Sequence, residues 1–166
     1  LMMARLCYDL LMEKGRDALA AVERHEVTPA LEDVVEATIY LSGLGFENGG
    51  LAAAHAVNDG FAQEPQAHGM YHGEKVAFGT LVQLVLEKAP QEELEQVLAF
   101  LRDTGLPLTL AQLGVKEIVP ETLKKVAEAA VVPTQSTKNL RADITAQEVY
   151  DAILEADRIG RDYLAR

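Results

Sequence analysis

The chain has 166 residues, about one domain's worth and enough to bury a hydrophobic core. Its 26 acidic residues outnumber its 15 basic ones for a formal net charge of -11, which argues against nucleic-acid or anionic-membrane surfaces because these need clustered Lys and Arg. A single cysteine, Cys7, excludes an internal disulfide, and with no leader peptide or membrane-length apolar run visible, a reducing cytoplasm is the expected setting.

In chain order, the pattern is helical throughout. Leu1, Met2, Met3, Leu6, Cys7, Leu10 and Leu11 recur at helical spacing, which makes Cys7 a buried structural thiol. No Ser, Thr, Asp or Asn precedes this helix as a cap, and the first residue is Leu rather than Met. The expectation is a chain cut inside an element, with frayed ends as the plainer reading. Thr28-Pro29 starts a second helix, cap then proline, predicted to stop at Gly43 and Gly45. Gly50 to Asn58 reads as a helix carrying His55. Residues Gly73 to Lys88 are apolar on almost every side, the pattern of a buried central helix. Pro90 opens another helix that Gly105 closes. Thr109-Leu110-Ala111-Gln112 fits a capping box for a short helix ending at Gly114. Pro120 starts the next, 133–142 reads as a loop, and Thr145-Ala146-Gln147-Glu148 caps the last. No alternating run supports a sheet. The expected fold is one all-α domain over 1–166, with about seven or eight helices.

Of the four histidines, His25 reads as a solvated helix end beside Glu23 and Glu26. His55 and His72 fall on successive predicted helices. Such a pair serves either as hydrogen-bonded structural residues or as metal ligands, and spacing does not separate the two, because metal sites are defined by ligand sets. Asp59, His68 and Glu74 are candidate third ligands. Gly43-Leu44-Gly45-Phe46-Glu47-Asn48-Gly49 is no dinucleotide fingerprint: it follows a helical pattern, and its third glycine is one position late.

The block Gly45-Phe46-Glu47-Asn48-Gly49-Gly50-Leu51-Ala52-Ala53-Ala54-His55-Ala56, followed by Tyr71-His72-Gly73-Glu74-Lys75-Val76-Ala77-Phe78-Gly79-Thr80, closely resembles the glycerol dehydrogenases of the iron-containing (group III) alcohol dehydrogenase family. The likeness continues through Gly105-Leu106-Pro107, Thr109 to Gln112 and Ala152 to Asp157, and reaches back to Leu6-Cys7-Tyr8 and Thr28 to Glu32. The resemblance implies the helical C-terminal domain of dehydroquinate synthase-like and iron-containing alcohol dehydrogenases. In such enzymes an N-terminal NAD-binding α/β domain precedes it, and the active site lies between the two. They oxidise glycerol to dihydroxyacetone with NAD, assemble as homo-oligomers, and hold a divalent metal, typically zinc, by one Asp and two His. The two His carry over to His55 and His72. Phe46 matches an aromatic of the substrate pocket, which His55 also borders.

Two departures from that pattern stand out. The NAD-binding domain and the Asp ligand precede the region that Leu1 matches, so no residue here takes the Asp role and no catalytic or cofactor-binding residue is assigned. Asn58-Asp59 replaces a usual His-Asn. The expectations are a truncated dehydrogenase, inactive alone, with an incomplete metal site. The alternatives are a stand-alone helical self-association module and a metal-binding regulator resting on the His pair alone.

Overall fold

A computed structural model describes residues 2–166. All regular structure among them is helical: eight α-helices with short 3-10 and π segments, and no strand. The uncapped helix start at Leu1 lies outside the described residues. Among the described residues no helix is long and apolar enough to cross a membrane. The backbone forms two compact units, residues 1–50 and 51–166.

In the first unit, α1 (Met2–Glu23) packs against α2 (Pro29–Glu36) and α3 (Ser42–Gly49). Thr28 caps α2 as its residue type dictates, its Oγ1 accepting from the Leu31 amide at 3.3 Å. The predicted stop at Gly43 and Gly45 does not occur. Helix α2 continues through a π-helical turn, Ala37–Leu41, directly into α3. Glycine in a helix interior costs only about 1 kcal/mol, and a glycine stop is made by the residue that takes positive φ. That residue is Gly50, at φ 72°, whose amide donates to the Phe46 carbonyl at 2.8 Å. Gly45 instead packs on Ala4, where a Cβ would meet the backbone at 3.4 Å. The buried residues here are small: Cys7, Ala18, Ala21 and Ala37. Cys7 is buried as expected, its thiol facing the Ala37 carbonyl at 3.6 Å, and burial pushes its pKa up. Lys14 pairs with Asp33 across α1 and α2.

The second unit holds the large apolar side chains. Phe61, Phe78, Leu81, Leu98, Leu108, Leu123 and Ile153 are fully buried. Its helices are α4 (Ala53–Gly60), α5 (His72–Glu87), α6 (Gln91–Asp103), α7 (Pro120–Ala130) and α8 (Ala146–Leu164). Helix α5 packs against α4, α6 and α8, the central place its all-round apolar pattern predicts. Helix α4 begins at Ala53, later than predicted, and extends through Gly60.

The two predicted capping boxes have different outcomes. Thr145 caps α8, its Oγ1 accepting from the Glu148 amide at 3.2 Å while Glu148 accepts from the Thr145 amide at 2.9 Å. Thr109 closes a single turn and no helix forms. Its Oγ1 accepts from the Gln112 amide at 3.2 Å, but Gln112 Oε1 reaches past it to the Leu108 amide at 2.8 Å. Gly114, at φ 88°, ends the segment before hydrogen-bonded turns repay nucleation. Buried Asp157 fixes this turn, accepting from the Leu110 amide at 2.9 Å and pairing with Arg161 at 3.1 Å.

Candidate functional site

His55 is half-buried on α4, and His72 is the exposed first residue of α5. Their ring centroids lie 5.5 Å apart with the planes tilted by 49°. Small residues create this approach. Ala53, Ala54 and Ala56 are buried, and Gly79 on α5 sits directly on the Ala54 carbonyl. A Cβ at Gly79 would stand 2.4 Å from that oxygen, so only glycine lets α5 come this close to the His55 turn. Gln83, one turn further along α5, accepts from the Ala54 amide at 3.1 Å and satisfies one of the orphan donors of the helix start.

Burial pushes the His55 pKa down, the His72 imidazole adds to that, and Asp59 one turn along α4 opposes both. His55 is therefore held as a neutral imidazole, the form that donates a lone pair to a metal. Two imidazoles sharing a tetrahedral ion at about 2.0–2.1 Å would have ring centres roughly 5 Å apart. The observed 5.5 Å is within easy reach of that.

The three candidate third ligands are engaged elsewhere. Asp59 accepts from the Asn58 side-chain amide at 3.0 Å and from Gln135 at 3.1 Å. The His68 Nε2 lies 3.0 Å from the Ala62 carbonyl. Glu74 accepts from the Tyr71 amide at 2.7 Å, at the start of α5. Among the described residues no group of three or more His, Cys, Asp or Glu is gathered closely enough to hold a metal ion. His25 ends α1 as an exposed residue at φ 56°. Phe46, on α3 in the first unit, is half exposed, at 50%.

Several polar residues around α4 escaped the sequence reading. Gln83 lies inside an apolar helix, and Gln135, Ser136 and Asn139 lie in a segment legible only as loop. Gln83, Ser136 and Asn139 bond to backbone groups and Gln135 to the Asp59 carboxylate, partners that residue type does not identify. Asn58 Oδ1 is buried without a hydrogen-bond partner among the described residues, as is Glu64 Oε2.

No family model matches the chain. It is 56% identical over 99% of its length to a glycerol dehydrogenase of Escherichia coli O6:H1, of which it covers 45%. It is 49% identical over 98% of its length to one of Pseudomonas putida, covering 44% of that protein. The crystal structure of a probable glycerol dehydrogenase from Sinorhizobium meliloti 1021 superposes with a TM-score of 0.93 at 45% identity, over 97% of this chain and 46% of that one. The chain thus spans less than half the length of the relatives it matches.

Proposed function

We propose, from the premise that the chain is a relative of the glycerol dehydrogenases, that it is the helical metal- and polyol-binding part of such an enzyme. His55 and His72 are two of the three protein ligands of a divalent ion, zinc by resemblance, and the carboxylate ligand belongs to the preceding nucleotide-binding part of the whole protein. The observation that carries this reading is the imidazole pair itself: two rings 5.5 Å apart, one of them held neutral by burial. When bound, the ion supplies Lewis acidity toward the alcohol oxygen, and NAD in the whole protein accepts the hydride. Within this chain, His55 and His72 present their lone pairs from two helices locked by Gly79. Phe46, on α3, is assigned to the pocket for a small polyol such as glycerol by the family resemblance alone. The 166-residue chain alone is inactive in this reading. Cobalt titration of the purified chain against His55→Ala and His72→Ala tests the ligand assignment: each variant should lose affinity, and equal binding by all three would sink it. Robust NAD-dependent glycerol oxidation by the isolated chain would contradict its inactivity.

A second reading rests on the first unit. Met2, Leu6, Val27, Ile39 and Tyr40 are more than half exposed there. Apolar surface of this kind is commonly covered by another protein surface, which supports self-association into a homo-oligomer. Light scattering tests it, and a monomer at high concentration would count against it.

A further inference from the structure

We propose that the segment Gln135–Asn139 is a clamp that fixes the His55 helix, with Gln135, Ser136 and Asn139 as positioning residues for the His55 imidazole; this rests on the metal-site reading above. Helix α4 needs such a device. Its eight residues make a rod only about 12 Å long, too short to be stable alone. The residue that precedes it, Ala52, has no capping side chain, and Ala53, Ala54 and Ala56 offer no long side chains to anchor it. Its orientation must be imposed from outside.

One short segment grips both ends. Asn139 donates to the Leu51 carbonyl at 2.8 Å, and Ser136 donates to the Ala52 carbonyl at 2.7 Å, both immediately before the helix. Gln135 donates to the Asp59 carboxylate at 3.1 Å in the last turn. A carboxylate there opposes the negative end of the helix dipole, so the Gln135 and Asn58 amides offset an unfavourable placement. The segment is itself rigid. Buried Thr137 donates to the Ala130 carbonyl at the end of α7 at 2.5 Å. Lys138 donates to the Pro133 carbonyl at 2.8 Å, and the Gln135 amide donates to Val132 at 2.8 Å. His55 lies between the gripped ends, so losing the grip lets the imidazole drift relative to His72. A merely structural loop would lower stability without singling out the metal.

The test is cobalt titration of the full chain, read by affinity and by the visible cobalt spectrum. Ser136→Ala and Asn139→Ala should each weaken cobalt binding by about 10- to 100-fold, the range for residues that orient metal ligands, and should alter the spectrum. Ser136→Thr should restore both. Thr145→Ala, which removes the distant α8 cap, should lower stability while leaving cobalt affinity alone. Unchanged cobalt affinity in Ser136→Ala and Asn139→Ala, with wild type binding far better than His55→Ala, would overturn the clamp. Wild type binding no better than His55→Ala would instead remove the metal reading. Amide exchange then decides the clamp: faster exchange confined to 53–60 in the two alanine variants supports it, and unchanged exchange there overturns it.

Discussion

At the scale of single residues, the depressed His55 pKa makes a prediction whose sign can be worked out. The unfolded chain binds a proton at the ordinary imidazole value, whereas the folded chain resists it because the ring is desolvated and faces His72. Between those two pKa values the unfolded state holds more protons, so stability rises with pH. The contribution is therefore complete above the ordinary histidine range and is lost as pH falls through it. Urea denaturation of metal-free protein should show wild type losing more stability between pH 7 and pH 5 than His55→Gln. Parallel pH profiles would mean that the ring is not desolvated as described.

Gly79 supplies a second residue-scale prediction, in which two effects compete. Replacing a helical glycine by alanine gains up to about 1 kcal/mol of helix propensity. The new Cβ, however, would sit 2.4 Å from the Ala54 carbonyl oxygen, a backbone atom that cannot rotate away. Overpacking of that kind costs about 1–3 kcal/mol, so Gly79→Ala should be destabilising and should push His55 from His72. Gly43 is the control: it also lies in a helix, but a Cβ there meets nothing within 4 Å. Gly43→Ala should leave stability unchanged or raise it by a few tenths of a kcal/mol. Thermal unfolding of the pair separates the two cases.

At the scale of elements, the sequence signals succeeded where a local rule has one physical outcome and failed where the outcome depends on neighbours. Thr28-Pro29 and Thr145 to Glu148 both start helices because capping satisfies amides within the same few residues. Thr109 to Gln112 carries the same pattern and forms only a turn, since Gly114 follows too soon and Asp157 takes the Leu110 amide. The glycines at 43 and 45 looked like a stop, yet the chain passes through them helically and breaks at Gly50, the one with positive φ. Conformation at a glycine is chosen by what packs on it, and that is not written locally. The same holds around His55. The imidazoles were singled out by the family resemblance, whereas the hydroxyl and amide groups that hold α4 bond to backbone and to the Asp59 carboxylate and left no pattern. The α8 cap gives a clean check of the local rule. Thr145→Ala removes the acceptor for the Glu148 amide and should cost about 1 kcal/mol in denaturation, while a change below a few tenths would show that Arg141, which also pairs with Glu148, sustains the cap.

At the scale of the whole molecule, the division of labour between the two units sets the last prediction. The second unit owns the large buried side chains, from Phe61 and Phe78 to Leu123 and Ile153. It also owns both imidazoles, the Gly79 contact, and every hydrogen bond of the Gln135–Asn139 segment. The first unit buries mainly small residues and exposes Met2, Val27 and Ile39. Burial of large apolar side chains is the main stabilising term in folding, at about 1.5–3 kcal/mol each. A fragment comprising residues 51–166 should therefore unfold cooperatively, keep its helical circular dichroism and bind cobalt with the affinity of the full chain. Residues 1–50 alone, lacking such a core, should lose most of their helicity. Cobalt binding that vanishes from a well-folded 51–166 fragment would mean that the first unit contributes a donor or positions one, and the His55 and His72 pair could no longer be treated as belonging to the second unit alone.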